Sequence, residues 1–201
     1  EPVEQEAQIR LMEKLQNHAG KDSVRVFRPA DADETTVCWA MAMENTETPT
    51  ALIFSRQGIA KLPAGNDYEM ARKGAYIVAG SDENPDVILV ASGSEVSTLE
   101  AGTEALRKDG IKVRVVSAPS EGLFRRQSAE YQESVLPANV KKFGMTAGLP
   151  VTLEGLVGIG PNSRIYGMKS FGFSAPYKVL DEKLGYTGEN VYKQVKDFLK
   201  K

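Results

Sequence analysis

The chain of 201 residues predicts an α/β protein of two blocks, each a mainly parallel sheet flanked by helices. Three observations point there. Apolar runs of strand length, such as "TALIF" (residues 50–54) and "DVILVA" (residues 86–91), stop abruptly at polar residues, as buried strands do. Segments with apolar residues at helical spacing alternate with these runs. One stretch rich in Gly, Pro, Asn and charge, "GIAKLPAGNDYEMARK" (residues 58–73), has no sustained period and separates the two halves of the pattern.

In the first block, Val3, Ala7, Leu11 and Leu15 recur at i+4 with Met12 beside them, which predicts a helix with one apolar stripe ending near Gly20. "VRVF" (residues 24–27) reads as a short strand stopped by Arg28-Pro29. Asp31 and Glu34 have the spacing of an N-terminal cap, ahead of a helix carrying Val37, Ala40, Met41 and Trp39 that Pro49 breaks. "TALIF" is the next strand, so the two strands pair in parallel through a crossover helix.

The second block begins with "GAYIVAG" as an edge strand and "DVILVA" as a buried one, followed by the tight turn "SGSE". Residues 95–108 read as a helix with Val96, Leu99 and Leu106 inward, closed by Gly110, before the strand "KVRVV". A helix over residues 128–135, a strand near Val140, a helix capped by Ser174 with Pro176 in its first turn, and a last helix capped by Thr187 complete the expectation. In the last helix Val191, Val195 and Leu199 recur at i+4. The boundaries that follow are 1–57, a linker over 58–73, and 74–201.

With 25 basic and 27 acidic residues the net charge is −2, which favours neither nucleic acid nor an anionic membrane as a partner. Cys38 is the single cysteine and has no intrachain partner, and no Cys/His cluster has metal-ligand spacing, so a reducing compartment is expected. No apolar stretch is long enough to span a bilayer and no leader pattern is present. The chain opens without Met on Glu1-Pro2-Val3-Glu4, which raises the expectation of a truncated polypeptide.

Four features bear on chemistry. "SGSE" (residues 92–95) follows a strand and opens a helix, so it could hold an anion on free N–H groups, although any tight βα turn uses Ser and Gly. His18 fits an interaction with the end of the first helix better than catalysis, and Cys38 fits a buried helix position. Arg56, at the carboxyl end of the "TALIF" strand, fits either a structural ion pair or a two-bond grip on phosphate. No catalytic triad or metal motif is legible.

Over essentially its whole length the chain resembles the transketolase family. The matching strings are "EPVEQ", "FRPAD", "FSRQ", "KGAY", "DVILVASGSEVS", "VRVVSAPS", "FRRQ" with "SVLP", and "SFGFSAPYKVL". The resemblance implies that residues 1–57 are the C-terminal part of a pyrimidine-binding domain and that 74–201 form a complete, Rossmann-like transketolase C-terminal domain. It implies transfer of a two-carbon ketol unit between sugar phosphates in the pentose phosphate pathway, by a cytoplasmic homodimer using thiamine diphosphate and Mg²⁺ or Ca²⁺. It assigns Arg56 to the substrate phosphate, and assigns no catalytic, cofactor or metal residue to this chain, so the chain alone is expected to be inactive. Two departures stand in the second block: Glu121-Gly122 where the family often has a bulky residue, and Phe173 where it has a small or acidic one. The competing expectation is a stand-alone α/β binding or dimerisation module derived from a thiamine-diphosphate enzyme.

Overall fold

The computed structural model describes residues 3–63, 67–80 and 84–200. Glu1 and Pro2 of the opening motif and residues 64–66 of the expected linker lie outside them. The first block runs α1 (Gln5–Met12), β1 (Arg25–Phe27), α2 (Ala32–Glu44) and β2 (Thr50–Leu52), with β1 and β2 paired in parallel from Arg25↔Thr50 to Phe27↔Leu52. A 3₁₀ helix, Asp67–Lys73, leads into the second block. There β3 (Tyr76–Gly80), β4 (Val87–Ala91), β5 (Val113–Ser117), β6 (Lys141–Met145) and β7 (Ser163–Tyr166) form one sheet in the order β3-β5-β4-β6-β7. All pairs are parallel except β3 with β5, which is antiparallel.

The five-stranded sheet is covered on both faces, as a parallel sheet must be. Val87, Leu89 and Ala91 of β4 face one core with α3 (Glu95–Lys108) and α8 (Gly188–Leu199), while Ile88 and Val90 face the other. That second core includes Phe124 of α4 (Glu121–Arg125), Val135 of α5 (Ala129–Val135) and Leu153, Leu156 and Val157 of α6 (Val151–Val157). Val191, Val195 and Phe198 of α8 are buried, each worth about 1.5–3 kcal/mol as apolar side chains withdrawn from water. Gly102 lets α8 approach α3, because a Cβ there would sit 2.6 Å from a Val191 methyl. The first core is shared between blocks: Phe27, Ala30, Val37, Cys38 and Met41 belong to the same cluster as Tyr76 and Val78. Within residues 58–73, Leu62 and Ala71 are buried in that cluster, and the Leu62 N–H donates to Asp31 Oδ2 at 2.9 Å.

Side-chain capping explains several helix starts. Asp31, Ser128 and Thr187 each accept a hydrogen bond from the backbone N–H three residues on. α7 (Tyr177–Leu184) differs from expectation. Its cap is Pro176 rather than Ser174, with no side-chain bond, and the Pro176 carbonyl accepts from Val179 and Leu180. α1 also departs. It stops at Met12, and Leu11, Met12 and Leu15 are exposed, because its inward face carries Ala7 and Arg10. Trp39 lies on the outer face of α2, stacked on Phe54 with ring centroids 6.2 Å apart.

Candidate functional site

The two blocks meet at the carboxyl ends of β1 and β4, the edge where open α/β sheets place ligands. Arg28 follows β1 directly and is pinned from both blocks. Its backbone N–H donates to Pro119 O at 2.8 Å and its carbonyl accepts from Gly93 N–H at 3.1 Å. Its guanidinium, 11% exposed, makes a two-pronged contact with the Glu95 carboxylate: Nη1 reaches Oε2, and Nη2 lies 3.2 Å from Oε1. Nη1 also donates to the Ser92 carbonyl, and Nε lies 3.4 Å from Glu6 Oε2.

Glu6 in turn accepts from Arg10 Nε at 2.9 Å, and Arg10 Nη2 reaches Ser92 Oγ at 3.3 Å. Two arginines and two glutamates from three elements thus close a buried network. Burial alone would lower the Arg28 pKa, but the Glu95 and Glu6 carboxylates outweigh it and hold the group above its ordinary value. Gly93 makes this possible. It has φ +61°, and a Cβ there would stand 2.6 Å from Arg28 Cζ.

This arrangement reverses the anion reading of the "SGSE" turn. The turn meets a guanidinium with a carbonyl and a carboxylate, so it holds a cation belonging to its own chain. The signal was available in the sequence, since Glu95 places a negative charge on the turn that an incoming anion would have to face.

Above the network lies a cavity of about 460 Å³, lined by Arg28, Glu6, Glu95, Asp181 and the segment 53–55 among others. Asp181 has its pKa raised, first by burial and then by the charge of Glu95. The chain leaves β2 at Leu52, so Arg56 sits four residues beyond the strand rather than at its end. Its side chain is exposed and, among the described residues, makes no hydrogen bond or ion pair. It lines a second open cavity of about 570 Å³. One wall of that cavity is Arg56 and Gln57 from the first block. The other is Phe173, Ala175, Pro176 and Leu180 from the second. Tyr177 and Gln57 separate the two cavities, lining both. The departure at Phe173 therefore lines the same cavity as Arg56, and Phe173 is 60% exposed.

The remaining candidates lie elsewhere. His18 is exposed in a turn six residues past the end of α1, so it does not sit on the helix terminus that its sequence position implied. Cys38 is fully buried in α2, and burial pushes its thiol pKa up. Gly122 accommodates Glu13, whose carboxylate would lie 2.8 Å from an added Cβ. Among the described residues no group of three or more His, Cys, Asp or Glu side chains could hold a metal ion. No helix among them is long and apolar enough to cross a membrane.

Sequence spacing placed Glu34 in the cap of α2 but did not reveal its burial or its partner Tyr76. Glu34 is 0% exposed, accepts from Ala30 N–H at 2.7 Å and from the Tyr76 hydroxyl at 2.9 Å, and has its pKa pushed up to about 7 by burial. It links α2 of the first block to β3 of the second.

Residues 74–187 match the family described as the transketolase-like TK C-terminal domain. Transketolase from Staphylococcus aureus (strain MW2) is 40% identical over 198 residues, 97% of this chain and 28% of that protein. Transketolase 1 from Vibrio cholerae is 41% identical over 201 residues, 99% of this chain and 29% of that protein. The structure of a transketolase from Leishmania mexicana is similar with a TM-score of 0.84 at 35% identity, covering 100% of this chain and 27% of that one. The chain therefore spans less than a third of the length of the curated relatives it matches.

Proposed function

The chain belongs to the transketolase-like C-terminal domain family, and from that premise we propose that it serves as the C-terminal portion of a transferase that moves a two-carbon ketol unit between sugar phosphates. In this reading residues 1–57 are the end of a pyrimidine-binding domain, 58–73 the connection, and 74–201 the C-terminal domain. The working enzyme is a cytoplasmic homodimer that uses thiamine diphosphate with a divalent cation. The described residues of this chain do not fit the metal-bound diphosphate, since they offer no converging set of metal ligands and the single histidine lies in an exposed turn. The chain alone is proposed to be inactive. Isothermal titration with thiamine diphosphate and Mg²⁺ tests this; micromolar binding would overturn it.

What this chain contributes to substrate is Arg56. The observation that carries the proposal is an exposed guanidinium without a partner among the described residues, set in an open cavity between the blocks. A planar, permanently charged fork left free in a cavity is matched to a phosphate. Held there, a phosphate anchors the sugar away from the reacting carbon, and that remote binding energy orients the reacting end. In the complete enzyme, Arg56→Ala removes a charge-assisted pair worth about 1.5–3 kcal/mol, a roughly ten- to hundredfold loss in kcat/KM for phosphorylated donors. Hydroxypyruvate, which has no phosphate, should be nearly unaffected. Equal losses for both donor types would refute the assignment.

A further inference from the structure

The Arg56 cavity has one wall from each block, so its width depends on how the blocks are held together. One contact that holds them together is the Arg28–Glu95 pair, in the neighbouring cavity that shares Gln57 and Tyr177 with this one. We infer that Arg28 and Glu95 are a positioning pair for the anion site, setting the distance between the Arg56 wall and the wall of residues 173–180; the inference rests on the reading of Arg56 as a phosphate ligand.

Three observations carry it. Arg28 is joined to the loop that bears Arg56, because Ile53 N–H donates to the carbonyl of Phe27, the residue preceding Arg28, at 2.8 Å. Residues 53–55, which lead to Arg56, line the cavity of which Arg28 and Glu95 form another part. On the other side Glu95 begins α3, and the same cavity wall continues through Tyr177 and Asp181 of α7, the helix that also supplies the far wall of the Arg56 cavity. The pair does not touch the Arg56 cavity itself. It acts by fixing orientation, which a two-bond contact between planar groups does and a single point contact does not. Burial strengthens the effect. In a water-poor site neither charge can exchange its partner for solvent, so the geometry is held to one arrangement.

The test uses the whole chain, labelled with ¹⁵N, and ribose 5-phosphate or inorganic phosphate as probe. Arg28→Lys keeps the charge and loses the fork, and Glu95→Gln keeps the shape and loses the charge. Val195→Ala, in the core between α3 and α8, is a control that lowers stability away from the site. At a temperature where every variant is fully folded, both pair variants should weaken probe binding about three- to tenfold, as one misaligned charge-assisted hydrogen bond would, and the control should not. Without any probe, the amide signals of Ser55, Arg56 and Gln57 should shift in the pair variants and stay in place in the control. Unchanged loop signals and unchanged affinity in both pair variants overturn the inference, as does an equal loss in the control. Arg56→Ala separates the two readings. If it leaves probe binding intact the phosphate assignment fails, and the loop signals alone still decide whether Arg28 and Glu95 position that segment.

Discussion

Replacing Glu34 by Gln should change how stability depends on pH. Glu34 is fully buried, its pKa is pushed from 4.5 to about 7 by burial, and its bonds from Ala30 and Tyr76 offset that rise only in part. The folded state therefore holds the proton more tightly than the unfolded chain. A group shifted upward in this way contributes stability that is fully present below its unfolded value, near pH 4.5, and is lost as pH rises through about 7. The rise from 4.5 to about 7 corresponds to about 3 kcal/mol lost between those limits. Glutamine keeps the size and an acceptor for the Ala30 N–H but cannot ionise. Urea unfolding of both proteins from pH 4 to pH 8.5 measures the difference. The stability of the Glu34→Gln variant relative to wild type should rise by about 3 kcal/mol between pH 4 and pH 8.5, whatever the offset between them at pH 4. A difference that stays constant across the range would show that folding does not raise the Glu34 pKa and would refute the reasoning.

Two further outcomes are expected. Gly102→Ala should lower the thermal midpoint, because the added methyl would meet Val191 at 2.6 Å; overpacking costs about 1–3 kcal/mol, set against about 1 kcal/mol of helix propensity gained over Gly. Cys38, buried and with its thiol pKa raised by that burial, should react with Ellman's reagent at pH 8 only as fast as the protein opens; rapid modification of the folded chain would contradict its placement.

Period and capping made much of the second block legible. "DVILVA", "SGSE" and "KVRVV" became β4, a turn and β5, and Val96, Leu99 and Leu106 of α3 are all buried. Asp31 and Thr187 cap as their spacing implied. The antiparallel direction of β3 was not legible, since alternation reports which faces are buried and not which way a neighbour runs. α6 and β7 were missed. They are short, and the glycines of residues 155–160 read as loop. The α1 stripe misled because Arg10, a charged residue, takes the inward position through its partners Glu6 and Ser92. The same limit applies to the site. Arg56 stood out by residue type and position, whereas Arg28 with Glu95, and Glu34 with Tyr76, are pairs 67 and 42 residues apart that only the fold brings together.

The place of β4 in the sheet has a consequence for handling the protein. Its five residues, Val-Ile-Leu-Val-Ala, carry no charge and no proline, and all are buried between β5 and β6. Such a segment is a template for intermolecular strand stacking whenever it is released. The folded sheet withholds it. β4 lies third of five strands, and the two outer positions go to β3, whose register is broken between Ile77 and Ala79, and to β7, only four residues long. Irregular and short margins are poor sites for adding a foreign strand. Aggregation then starts from opened molecules rather than from folded ones, so recovery after heating should fall as protein concentration rises, and the apparent midpoint should move with the heating rate.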